Sequence, residues 1–247
     1  MRTGTLPRSR EVSQLAERQM RNWALQLQAQ QRVDETHEPT PIQERIHPYL
    51  AISRECGVNA RDIAAAVAVR CGWKLLDREI LDELAEHDHF SRFALEFVDE
   101  RTVSWFHEVF GKWLDEQLVS QAEYVSRLGR LVLLAAQHES TVIVGRGAQF
   151  LLPRERGIAV RLISPEKFRI DNITLNRHCS ENQAREFIER TDHGRAQFIR
   201  RYFHRDVADP HLYDMVINLE RVPRDVAVDL IVGECKRRQE IQSCSYK

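Results

Sequence analysis

A three-layer α/β fold is predicted, with a parallel sheet of about five strands flanked by helices and an added N-terminal amphipathic helix. Three observations predict it. Short apolar runs alternate with helical patterns along the chain, which is the order that parallel strands and their crossovers require. Thr141-Val142-Ile143-Val144 is apolar without alternation, as a strand covered on both faces must be. Tyr49 to Ser53 runs through a tight turn into the alanine-rich stretch Ala60 to Cys71, a strand, a loop and a helix in succession.

The chain has 247 residues, of which 43% are hydrophobic, enough for one main domain with a real core. Residues 1–46 differ from the rest. Val12, Leu15, Gln19, Trp23 and Leu27 recur at helical spacing, so Ser9 to about Val33 reads as one amphipathic helix. Such a helix can dock on the main domain, pair with a second copy or bind a partner through residues 9–33. Charge and prolines make Asp34 to Pro41 a linker. The division is therefore 1–46 for helix and linker and 47–247 for the main domain.

Within the main domain, Ile63, Val67 and Cys71 share one face of the first helix, and Gly72 ends it. Asn59, with Asp62 three residues on, suits a helix start, because a side-chain oxygen can cap an orphan N–H and a carboxylate suits the dipole. Lys74 to Leu76 is a short second strand, and Asp77-Arg78-Glu79 opens the next helix. From Phe90 to His138 the pattern is helical throughout, with Phe93, Phe97, Trp105, Phe106, Val109, Trp113 and Leu118 on a broad apolar face. Ile158 to Ile163 is a fourth strand. Ser164-Pro165-Glu166 starts a helix with proline in its first turn, and Ser180 with Gln183 forms a capping box for another. The segment Arg190 to Arg205 is basic and helical, with Phe198, Ile199, Tyr202 and Phe203 as its stripe. Tyr213 to Asn218 is a fifth strand, and Arg224 to Ile241 a closing helix.

Composition narrows the function. Lys and Arg number 36 against 37 Asp and Glu, so no long-range field steers the chain to nucleic acid or to an anionic membrane. The longest apolar runs are too short to span a bilayer, and the expected location is the cytoplasm. Five cysteines without a CxxC pair argue against a disulfide framework or a structural zinc site. His87-Asp88-His89 lacks a third ligand at a sensible spacing and reads as a solvated helix end. Cys56 has no evident partner as a nucleophile.

The chemistry points to the first loop. A strand, a tight turn and a helix start aim unpaired N–H groups and the positive end of the helix dipole at one place, which suits an anion. Only Gly57 remains of the glycines that such a loop normally carries, and Arg61 stands where a lysine is usual. Arg146, between Gly145 and Gly147 at a strand end, is a second candidate, since ligands of open parallel sheets sit beyond the carboxyl ends of the strands.

The ordered motifs resemble the cytidylate-kinase-like family among the P-loop nucleoside monophosphate kinases. They are Ile52-Ser53-Arg54-Glu55, Arg61-Asp62-Ile63-Ala64, Leu76-Asp77-Arg78-Glu79-Ile80-Leu81, Val142-Ile143-Val144-Gly145-Arg146-Gly147-Ala148, Glu189-Arg190-Thr191-Asp192 with Arg195-Ala196, Phe198-Ile199-Arg200-Arg201-Tyr202-Phe203, Asp209-Pro210-His211-Leu212-Tyr213-Asp214 and Val216-Ile217-Asn218. Their order spans residues 50–232 and leaves 1–46 outside.

The resemblance implies a P-loop kinase fold and transfer of the γ-phosphate of Mg2+-ATP to CMP or dCMP. Gly57, Val58, Asn59, Ala60, Arg61 and Asp62 would hold the ATP phosphates, with Asp62 in the place where a serine or threonine usually helps to hold the metal. Asp77, Arg78 and Arg146 would face the acceptor nucleotide. A lid over about residues 180–210 would bring Arg190, Asp192 and Arg195 to the chemistry, with Arg200 and Arg201 beside them, and Arg61 would act from the loop. The family loop reads Gly-Ser-Gly-Gly-Arg where this chain has Gly57-Val58-Asn59-Ala60-Arg61. A β-branched Val58 resists positive φ, so a second reading stays open: a catalytically impaired relative that binds nucleotide or a partner in a regulatory role.

Overall fold

Five apolar segments that cannot remain in water set the architecture. In the structure, a computed structural model, Arg18 and residues 45–77, 79–81 and 119–244 are described. The elements are β1 (Tyr49–Arg54), α1 (Ala60–Cys71), β2 (Lys74–Leu76), α2 (Val119–His138), β3 (Thr141–Val144), α3 (Ala148–Leu151), β4 (Gly157–Ile163), α4 (Glu166–Arg177), α5 (Glu181–Phe203), β5 (Met215–Asn218) and α6 (Arg224–Cys244). The N-terminal helix at 9–33, the linker, Arg78, His87-Asp88-His89 and the aromatic face between Phe93 and Leu118 lie outside the described residues.

The chain divides into two compact units, residues 48–75 with 140–247, and residues 1–47 with 76–139. The strands form one sheet in the order β2-β3-β1-β4-β5. β1 runs parallel to β3 and to β4, and β4 runs parallel to β5. Tyr49 stands opposite Thr141 on one side and Gly157 on the other. A Cβ at Gly157 would fall inside the Tyr49 ring, so a glycine there lets the buried phenol lie across β4. The hydroxyl then donates to the carbonyls of Leu152 and Pro153.

β1 is the central strand, with β3 and β4 on either side, and Leu50, Ile52, Val142 and Val144 are all buried. They share a core with Ile63 and Val67 of α1, Val160 and Leu162 of β4, and Val228, Ile231 and Cys235 of α6. Each such side chain contributes about 1.5–3 kcal/mol on burial. α1 buries Ala60, Ile63, Ala64, Val67 and Ala68, a stripe at helical spacing whose alanines let the helix lie close to the sheet. Gly72 closes α1 in the left-handed conformation, its N–H reaching the Ala68 and Val69 carbonyls. Among the described residues, no helix is long and apolar enough to cross a membrane.

Three local expectations change. Asn59 precedes α1 but does not cap it with its side chain. It sits in the left-handed region at φ 49°, and its Oδ1 accepts from Asn176 Nδ2 at 3.3 Å instead. β5 begins at Met215 and not at Tyr213, because the Asp214 carboxylate takes the Ala159 N–H at 2.7 Å, a bond that a strand partner would make. The basic stretch from Arg190 is the second half of one long helix that starts at the Ser180 capping box.

Candidate phosphate-binding site

The loop between β1 and α1 is shaped by two residues that tolerate left-handed backbone. Gly57 has φ 90° and Asn59 φ 49°, while Val58 between them is not a positive-φ position. Val58 and Ala60 are buried in the core, so the two apolar replacements point away from the side where an anion would lie. Among the described residues, no hydrogen bond uses the N–H groups of Gly57, Val58 or Asn59. Three free donors at a helix start are the physical basis of an anion site.

A network of carboxylates and guanidinium groups fixes this loop. Glu55 Oε2 accepts the backbone N–H of Ser164 at 3.0 Å, and the same carboxylate faces Arg169 Nε at 3.6 Å and Arg161 Nη2 at 3.9 Å. Asp192 Oδ1 accepts the Cys56 N–H at 2.8 Å, and its Oδ2 accepts from Arg169 Nη1 at 2.6 Å. Arg195, one turn along α5, donates to the Arg54 carbonyl at 3.1 Å and to Asp192 Oδ1 at 3.4 Å. Asn172 holds the Gly57 carbonyl at 2.9 Å. Gly57 lies so close to α4 that a Cβ there would come 2.8 Å from the Arg169 carbonyl oxygen.

The second strand end carries the same kind of backbone. Gly145, Arg146 and Gly147 all have positive φ, at 86°, 54° and 69°. The Arg54 guanidinium reaches Gly145, and the Phe203 ring presses on Gly147, where no Cβ would fit. The Arg146 guanidinium lies over the Phe198 ring at 5.3 Å, a cation–π contact. Thus α5 touches the first loop through Asp192 and Arg195 and the β3 turn through Phe198 and Phe203. The aromatic stripe packs on this turn and on itself, with Phe198 tilted against Tyr202 at 4.7 Å between ring centroids and Phe150 tilted against Phe203 at 5.0 Å.

The structure therefore joins Gly57, Asn59, Asp192 and Arg195 in one place. Arg61 and Asp62 are exposed on the first turn of α1, and Asp62 pairs with Arg224 of α6 at 3.5 Å. Arg190, Arg200 and Arg201 are exposed on α5, and none of the ion pairs among the described residues ties them to the loop. Asp77 is buried, and its Oδ1 accepts the Ile80 N–H at 3.1 Å, an N-cap bond. Burial pushes the Cys56 thiol up in pKa although Arg195 opposes it, which favours the protonated thiol. No group of three metal-ligating side chains exists among the described residues. Asp62 is engaged by Arg224, and Glu55 and Asp192 by arginines, so these residues do not fit a protein-built magnesium site.

Residues 49–221 match the cytidylate kinase-like family. This chain belongs to that family. No curated protein matches it. Among solved structures, it is similar to an uncharacterized protein from Eubacterium ventriosum at 22% identity and a TM-score of 0.63, covering 77% of this chain and 99% of that one. A shikimate kinase from Bacteroides thetaiotaomicron aligns at 15% identity and a TM-score of 0.42, covering 78% and 98%. A gluconokinase from Sinorhizobium meliloti aligns at 12% identity and a TM-score of 0.42, covering 81% and 99%. As a member of the cytidylate kinase-like family, the chain has a kinase-like P-loop fold.

Glu55, Arg161, Arg169 and Asn172 are the site residues that sequence reasoning did not single out. Glu55 lies within the motif Ile52-Ser53-Arg54-Glu55, which is the signal that points to it. Arg169 and Asn172 lie on α4, more than a hundred residues after the loop, and no spacing rule connects them to it.

Proposed function

We propose that this cytidylate kinase-like protein is a nucleoside monophosphate kinase that moves the γ-phosphate of ATP onto CMP or dCMP. The observation that carries the reading is the loop itself: Gly57 and Asn59 take the two left-handed positions and leave the N–H groups of residues 57–59 without a protein partner among the described residues. In the reaction, a phosphate oxygen of the monophosphate attacks the γ-phosphorus. The bond from that phosphorus to the β,γ-bridging oxygen breaks, and ADP leaves. The protein's share is positioning and charge stabilisation. The loop holds the triphosphate, Arg195 and Arg169 supply positive charge beside it, and Arg146 meets the acceptor. Arg61, Arg190, Arg200 and Arg201 close on the phosphates only if α5 or α1 shifts. Magnesium is expected as the ion that accompanies the triphosphate, and no step is assigned to it.

A coupled ADP-release assay across all nucleoside monophosphates tests this reading. Turnover with CMP or dCMP above the other bases is expected; no turnover with any monophosphate, in folded protein, overturns it.

The second reading, a catalytically impaired relative that binds nucleotide in a regulatory role, is favoured by the absence of a lysine from the loop and by the Asp192 carboxylate on the Cys56 N–H. Calorimetry with ATP and CMP separates the two: binding without turnover supports the second reading, and turnover removes it.

A further inference from the structure

Asp192 is bound as an anionic ligand would be. Its carboxylate receives three donors from three parts of the chain: the Cys56 N–H of the loop at 2.8 Å, Arg169 Nη1 of α4 at 2.6 Å and Arg195 Nη1 of α5 at 3.4 Å. A backbone N–H at a helix-forming loop together with two guanidinium groups is the donor set that recognises a phosphate oxygen. Arg169 is largely buried, with a side chain 14% exposed, and its only other ionic partner among the described residues is Glu55. Two guanidinium groups, of Arg169 and Arg195, face two carboxylates, of Glu55 and Asp192, with Arg161 adding one more positive charge behind Glu55.

We propose that Asp192 is an internal competitor for phosphate: its carboxylate occupies the cradle formed by Cys56, Arg169 and Arg195, and a polyphosphate chain enters fully only when Asp192 leaves. This rests on the reading of the β1–α1 loop as a phosphate site. The reason is electrostatic. A phosphate group beside an ionised Asp192 meets a like charge within hydrogen-bond range in a partly dry site, where such repulsion is weakly screened. When Asp192 withdraws, Arg169 and Arg195 lose one acceptor and gain another, and the N–H of Cys56 joins those of residues 57–59 along the loop. Because Asp192 and Arg195 share one turn of α5, withdrawal of that turn would also free Arg195 from the Arg54 carbonyl, so phosphate entry and movement of α5 are one event. The chain thus holds the Cys56 end of its own loop occupied until a more highly charged anion replaces the carboxylate.

The test uses the full chain and two variants, Asp192→Asn and Asp192→Ala, with sodium tripolyphosphate and ATP as probes. Asparagine keeps the size and an oxygen for the Cys56 N–H but removes the charge; alanine removes both. Affinity is read by calorimetry, and the Cys56 amide is followed by NMR in protein labelled with 15N-cysteine. Expected are a gain of about tenfold or more in tripolyphosphate affinity for both variants, and a Cys56 amide shift on binding. Tripolyphosphate that binds the natural chain as tightly as it binds both variants, or more tightly, overturns the competitor role and leaves the phosphate-site reading standing. No binding of either probe to any of the three proteins, each shown folded by its thermal transition, overturns both.

Discussion

Glu55 Oε2 accepts the backbone N–H of Ser164 at 3.0 Å, so a side chain fastens the loop after β1 to the first residue after β4, in addition to the backbone bond from the Glu55 N–H to the Leu162 carbonyl at 3.0 Å. The same carboxylate faces Arg161 and Arg169, both largely buried. Removing it would leave the Ser164 N–H without its acceptor and take a counter-charge from Arg161 and Arg169, which keep Ser53 and Asp192 as acceptors. Glu55→Ala is expected to cost about 2–4 kcal/mol of stability, and Glu55→Gln less, because the amide oxygen can still take the Ser164 N–H. Chemical denaturation of the three proteins measures this; an alanine variant as stable as the natural chain would show that the network contributes nothing.

Gly57→Ala meets two obstacles at once. The backbone is at φ 90°, and the added Cβ would lie 2.8 Å from the Arg169 carbonyl oxygen. The expected loss is about 1–3 kcal/mol. Because α4 must move away from the loop, nucleotide affinity falls with it. Thermal melting with and without ATP reads both effects.

Arg146→Gly separates stability from binding. Arg146 holds a left-handed conformation at φ 54° that costs a residue with a side chain about 1 kcal/mol, and glycine removes that cost. The variant loses the contact with Phe198 and gains freedom when unfolded, so its net stability should lie within about 1 kcal/mol of the natural chain. CMP affinity should drop about tenfold or more through loss of a charge-assisted phosphate contact. Equal CMP affinity in calorimetry would remove Arg146 from the acceptor site.

Stability should fall on mild acidification because of His138. Burial holds its pKa down at about 4, with Glu139 opposing the shift and His47 adding to it. Between about pH 6.5 and 4 the unfolded chain takes up a proton that the folded chain refuses. This contribution is complete above the unfolded value and is lost as the pH falls through that window. It amounts to about 1–3 kcal/mol after allowance for partial exposure. His138→Gln should flatten this part of the urea-midpoint profile between pH 4 and 7.

Much of the fold could be read from residue order, because its main signals are local. Thr141 to Val144 and Lys74 to Leu76 are strands with the bounds that their apolar runs suggest, and Ser180 with Gln183 forms both halves of its capping box. The loop's location was legible for the same reason. The roles within it were less so. Val58 reads as an obstruction until the structure turns it into the core, and Asn59 reads as a cap until its oxygen is found on Asn176. Arg169 escaped notice since its meaning depends on a contact between α4 and the loop, and amphipathic spacing reports only which face of a helix is apolar. The motif brings Asp192 to the chemistry, but its bond to the Cys56 N–H depends on how α5 crosses the loop.

The strand order carries a consequence for how the chain acquires its structure. β1 pairs with β3 and β4, whose partners for Tyr49 are Thr141 and Gly157, so the middle of the sheet joins segments 92 and 108 positions apart (141 − 49 and 157 − 49). Large loops must close before these contacts form, which slows folding. During synthesis, the apolar edge formed by Leu50 and Ile52 emerges long before either neighbour and stays open to wrong partners in the interval. The polar residues that later hold the loop, from Ser164 to Arg195, emerge more than a hundred positions after it, so the site cannot be assembled until long after its loop has been made.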